Sequence, residues 1–253
     1  MSILTEACKP ENGPFKGTIA GDPGTGKSTL AALFPKPLFL CLEDGLERVS
    51  EQMRPNGIRI KTIEKLNEVL IAVRNDEHEY KTLVVDSITA LEAMFIKHII
   101  DNDPKKPASI NQAAGGYGNG PKAVGAKHEN FKNYCFTISE ERNMNIVFIA
   151  HADTESLDLP DKDAYMRYSF RLGKHSLRPY VDEVNLVGFV KMEIFLKGED
   201  GDRVKKARTS GDRILDCTPN AWSIAKNGYQ IKEPLVFKEG ENPLAAYIPG
   251  LAK

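Results

Sequence analysis

Along the first three-fifths of the chain, short apolar runs alternate with segments whose apolar residues recur every three or four positions. "GTIAG" (17–21) is an apolar run of strand length. The turn after it opens a helix at Ser28 that Pro35 ends, since proline has no N–H to give the helical ladder. "PLFLCLE" (37–43) and "IRIKTI" (58–63) read as further strands. In "IEKLNEVLIAV" (63–73), Leu66, Val69, Leu70 and Val73 share one face of a helix. "TLVVDS" (82–87) reads as a buried strand, followed by the helix "ITALEAMFIKHII" (88–100). "KHENFKNYCFTISEERN" (127–143) is an amphipathic helix leading to the strand "NIVFIA" (145–150). Uniformly apolar strands alternating with helices predict an α/β fold of three layers, with a mostly parallel sheet covered on both faces.

Two stretches break the alternation. Residues 102–126, "NDPKKPASINQAAGGYGNGPKAVGA", show no period and read as a long loop, and Asp153 to Lys174 reads as a second irregular segment. Beyond it come "SLRPYVDEV" and then "NLVGFVKMEIFLK", joined through the turn "GEDGD" to "RVKKART" as a hairpin, with "RILDCT" as one more strand. These predict a C-terminal antiparallel extension of the sheet. Pro234, Pro243 and Pro249 mark 233–253 as a surface tail, and 1–16 is a lead-in. No linker divides the chain, so 1–253 is expected to form one domain.

The first turn carries the chemistry. Gly21, Asp22, Pro23, Gly24, Thr25, Gly26, Lys27, Ser28 and Thr29, "GDPGTGKST", match the phosphate-loop pattern between a strand and a helix. The glycines let backbone N–H groups wrap an anion, and the helix start adds its positive end. Lys27 is placed to reach the β- and γ-phosphates of ATP, and the Ser28 hydroxyl to ligate Mg²⁺. Asp86, closing the apolar run of "TLVVDS", is the second metal anchor; the competing reading is a cap for the helix near Ile88. Hydrolysis also needs a group to orient or deprotonate water. In AAA-type ATPases an acid directly follows the metal-binding Asp, and here Ser87 stands there. Glu43 at the end of "PLFLCLE" is the candidate base, unless Glu43 and Asp44 only begin a solvated turn.

This ordered set resembles the RecA family of ATP-dependent recombinases over residues 13 to about 235, through the phosphate loop, Glu43, "LVVDSITAL", "NIVFIAH" and "WSIAKNGYQIKEP". The resemblance implies a RecA-like P-loop core that binds ATP with Mg²⁺ and works as a homo-oligomer, a ring or a filament. It makes His151, where the family has Gln, the sensor of the γ-phosphate; a satisfied strand-end histidine is the alternative. Lys226, in "KNG" where the bacterial recombinase has K-N-K, would reach a neighbour's γ-phosphate as a finger in trans, or be an ordinary surface lysine. The two irregular stretches fall where the family binds single-stranded DNA. They make Tyr117, Lys122, Lys127, Arg167, Arg171 and Lys174 the candidate contacts, cations for phosphates beside aromatics for bases. With the phosphate loop beginning at residue 21, the chain resembles the short, core-only bacteriophage relatives, and a separate N-terminal domain is not expected. Those are associated with single-strand annealing and recombination alongside a single-strand-binding protein. A phosphotransferase with an arginine lid, or a nucleotide-dependent switch or loader for a replication protein, are the rival classes.

Composition narrows this little. At 253 residues, 41% hydrophobic and 27% charged with net charge -1, the chain is an ordinary globular one, and any polyanion contact must be local. Cys8, Cys41, Cys135 and Cys217 form no CxxC pair, which fits a reducing cytoplasm, that of a bacterial host if phage-encoded. The first residues lack the apolar core of a signal peptide, and no apolar run nears the roughly 18 residues of a membrane span.

Overall fold

The computed structural model describes residues 13–197, 206–238 and 240–251; the turn "GEDGD" and Cys8 lie outside them. Six strands make the parallel part of the sheet: β1 (Lys16–Gly21), β2 (Pro37–Cys41), β3 (Asn56–Arg59), β4 (Thr82–Asp86), β5 (Asn145–Leu159) and β7 (Leu186–Lys197). Between β5 and β7 lies β6 (Lys162–Phe170), antiparallel to β5. β8 (Lys206–Asp216), β9 (Lys226–Asn227) and β10 (Leu235–Phe237) add the antiparallel extension, giving the order β10-β8-β7-β1-β5-β4-β2-β3. The helices are α1 (Lys27–Ala32), α2 (Ile63–Asn75), α3 (Ile88–Asn102) and α4 (Asn119–Arg142).

The continuous apolar runs have a simple cause: successive strand residues feed opposite layers. Leu83 and Val85 join one buried cluster under α2, α3 and α4, whereas Val84 joins the other, under α1. Ile146 and Phe148 divide from Val147 and Ile149 in the same way. Helix α2 buries Leu66, Val69, Leu70 and Val73, the face its spacing predicts, and starts where the Thr62 side chain accepts from the Lys65 N–H. Thr62 is thus a helix cap, and the third strand ends at Arg59 rather than running on through "KTI".

Three further expectations need correction. The first irregular stretch is a loop only from Asp103 to Gly118, because α4 begins at Asn119. Its glycines concealed the helix, yet they serve close packing. A Cβ on Gly120 would lie 1.8 Å from the Ile110 carbonyl oxygen, and one on Gly125 would lie 2.6 Å from that of His175. The second irregular stretch is a hairpin: β5 runs on to Leu159 and returns as β6. Its charges concealed the alternation. Asp153 and Glu155 lie on one face opposite Ser169 and Arg167, while Thr154 and Ser156 lie on the other opposite Tyr168 and Met166. Third, the segment read as a surface tail completes the core. β10 pairs with β8, and Leu235, Phe237, Leu244, Ile248 and Leu251 are buried in the cluster under α1. The prolines there mark bends between short packed pieces.

Candidate nucleotide-binding site

Strand register brings the site together. Gly21, at the end of β1, lies beside His151 of β5 on one side and Val190 of β7 on the other. Cys41 ends β2 opposite Asp86 of β4, and the Leu42 N–H donates to the Asp86 carbonyl at 2.8 Å, which sets Glu43 on the same rim. This is the carboxyl edge of the parallel strands, where open α/β sheets bind ligands. A Cβ on Gly21 would stand 2.4 Å from the Val190 carbonyl oxygen, so only glycine fits there. Gly24 and Gly26 have φ of 81° and 100°, the left-handed turn that aims N–H groups inward.

Lys27 is buried, with 7% of its surface exposed, and its Nζ donates to the carbonyl oxygens of Gly21 and Asp22, both at 2.9 Å. Burial lowers its pKa against the opposing pull of Asp86, Glu43 and Asp22; the Arg171 charge lowers it further. The Ser28 Oγ donates to Asp86 Oδ2 at 2.7 Å. Asp86 is also buried, and burial raises its pKa, with the Ser28 hydrogen bond opposing and the Glu43 charge adding. Ser87, not Asp86, caps α3, its side chain accepting from the Ala90 N–H. The Asp86 carboxylate therefore faces the phosphate loop.

His151 lines the cavity beside the phosphate loop and is paired with an acid. Its Nε2 is 3.0 and 3.2 Å from the two carboxylate oxygens of Glu43. That hydrogen bond, more than any other influence, lowers the Glu43 pKa; burial raises it, and Ser87, the His151 charge and Lys27 lower it further. Glu43 is thus held anionic, the form a general base requires. The neighbouring Asp44 also lines this rim, but its carboxylate is paired with Arg59 at 2.9 Å. Replacing His151 by phenylalanine is expected to raise the Glu43 pKa, because the hydrogen bond that most lowers it is lost while burial remains. A carboxylate base loses activity as pH falls through its pKa, so the acid limb of the pH–rate profile at saturating ATP should move to higher pH. An unmoved limb would separate His151 from the base.

These groups wall a cavity of about 310 Å³ that also takes in Arg48 and Arg213. Neither arginine is part of the phosphate-loop pattern. Arg48 follows Glu43 by five residues and was within reach of the sequence; Arg213 enters only through the pairing of β8.

Other expected residues lie elsewhere. Lys226 on β9 pairs with Val187, which is level with Thr18 near the middle of β1, and its Nζ donates to the carbonyls of Val181 (3.3 Å) and Asp182 (2.5 Å). It is outside this chain's own cavity. Tyr117 is 100% exposed, Lys122 and Lys174 are exposed, and Lys127 sits over the Phe95 ring at 5.9 Å. Arg167 donates to Glu155 at 2.6 Å, and Arg171 gives its backbone N–H to the His151 carbonyl. Contact between Gly125 and His175 brings the start of α4 against the segment after the hairpin.

No curated protein matches the chain. Among solved structures it is similar to the crystal structure of the RadB recombinase, at 12% identity with a TM-score of 0.47, covering 81% of this chain and 80% of that one. The sequence pattern described as an AAA domain matches residues 14–229, from just before β1 to just past β9. That span takes in every group around the phosphate loop, and the chain belongs to the AAA domain family.

Proposed function

We propose that this protein is an ATP-binding, ATP-hydrolysing RecA-like protein that binds single-stranded DNA and promotes annealing or recombination as an ATP-dependent oligomer. The observation that carries the reading is the Glu43–His151 pair facing Ser28 and Asp86 across the mouth of the phosphate loop. In hydrolysis, Lys27 exchanges its two backbone carbonyl partners for β- and γ-phosphate oxygens. Glu43 accepts a proton from the attacking water, and His151 keeps that carboxylate oriented and ionised. Ser28 and Asp86 are an all-oxygen donor pair that suits Mg²⁺. Ser28 and Asp86 would hold the ion, which would supply positive charge to offset that of the phosphates.

For the oligomer, the support is Lys226: a cation outside its own cavity, in the place where the resembled family reaches into a neighbour. For DNA, the support is the first loop and the start of α4, with exposed Lys105, Lys106, Lys122 and Tyr117. The hairpin supports it less. Residues 153–170 carry Asp153, Glu155, Asp158, Asp161 and Asp163 against Lys162 and Arg167, and Arg167 is already paired. A partner single-strand-binding protein and a phage setting rest on the resemblance alone. The phosphotransferase reading draws on the place of Arg171, just after the hairpin, where its backbone N–H donates to the carbonyl of His151 at the cavity.

Mass in solution separates the two. With ATP, Mg²⁺ and an oligothymidine, the protein is expected to assemble beyond the monomer, and to revert when ATP is withdrawn. A monomer under every condition favours the phosphotransferase.

A further inference from the structure

Arg213 is fixed in the middle of three strands, opposite Met192 of β7 and Phe237 of β10. Residues directly opposite in an antiparallel pair share a face. Here that face is the one α1 covers, since Leu215, two residues on, packs with Leu30 and Leu235. The Arg213 guanidinium therefore comes to rest on the phosphate loop. A Cβ built on Gly26 would lie 3.0 Å from its Nη1 and 3.2 Å from its Cζ. The side chain is half-buried, and among the described residues no carboxylate lies within ion-pair distance of it. A guanidinium that lines an open cavity with no carboxylate beside it is available to an anion entering that cavity.

Its position says which part of the anion. Arg213 walls the 310 Å³ cavity of the phosphate loop and also an adjoining one of about 570 Å³, lined by Met53, Met192 and Phe237 among others. The two cavities share Thr29, Arg48 and Arg213, while Glu43, Asp86 and His151 line only the first. Arg213 thus stands where the two cavities meet, at Gly26.

We infer that Arg213 is a nucleotide ligand in cis, binding the inner phosphates of a nucleoside di- or triphosphate from β8. The inference rests on the nucleotide-binding reading of the loop. Its signature is indifference to the γ-phosphate: ATP and ADP should depend on Arg213 equally. Calorimetric titration of the full chain with each nucleotide and Mg²⁺ tests this. Arg213→Ala is expected to weaken both by the same factor, about tenfold to a hundredfold, the range for a hydrogen bond to a charged group. Arg213→Lys should recover part of the loss, because it keeps the charge without the planar fork, and it controls for folding. Unchanged affinities, or a loss confined to ATP, would overturn the assignment while leaving the loop a nucleotide site. Failure of the unmodified protein to bind either nucleotide would instead sink the nucleotide reading itself.

Discussion

With Lys27 replaced by alanine, ATP affinity is expected to fall by at least about a hundredfold, as two charge-assisted hydrogen bonds to phosphate are lost. The fold should survive. Among the described residues the buried ammonium has two backbone carbonyls as hydrogen-bond partners, and burial already sets its pKa below the ordinary lysine value. Removing it relieves a desolvated charge, so the nucleotide-free variant should melt within about 4 °C of the parent, the shift for roughly 1 kcal/mol in a chain of this size. Equilibrium binding and thermal melting, run on one preparation, give both numbers. A variant that still binds ATP normally refutes the phosphate loop; one that melts much earlier makes Lys27 a structural residue.

The second large effect is on turnover. Glu43→Gln keeps the shape of the side chain but cannot take a proton, so hydrolysis is expected to slow by about 10² to 10⁴-fold while ATP binding persists. Asp44→Asn is the built-in control. Asp44 is exposed and occupied by Arg59, and its loss should leave turnover near normal. Single-turnover assays at saturating ATP distinguish the two, and the reverse pattern would transfer the base to Asp44.

What the sequence made legible was what is local. The phosphate loop is one continuous stretch. Glu43, Asp86 and His151 each close an apolar run, so a parallel sheet alone brings them to one rim. The partnership of Glu43 with His151 depends on three strands being in register between them, β2 with β4, β4 with β5, and no local pattern encodes that. Arg213 was hidden for the same reason, since its place on Gly26 follows from β8 pairing with β7. The start of α4 was hidden differently: Gly120 and Gly125 suggest a loop by propensity, and tertiary packing against Ile110 and His175 overrides it. In the hairpin, acidic residues on one face masked a period of two.

The last pieces of the chain have a consequence for its synthesis. Helix α1, which carries Lys27 and Ser28, rests its Leu30 and Ala31 on a floor that includes Phe237, Leu244, Ile248 and Leu251. A ribosome delivers the loop early and the floor some two hundred residues afterwards. Until then those aliphatic side chains lack their cover. A nascent polypeptide carrying every motif residue up to "TLVVDS" is therefore not yet a competent nucleotide receptor, and its half-built layer is a surface that a chaperone would have reason to hold.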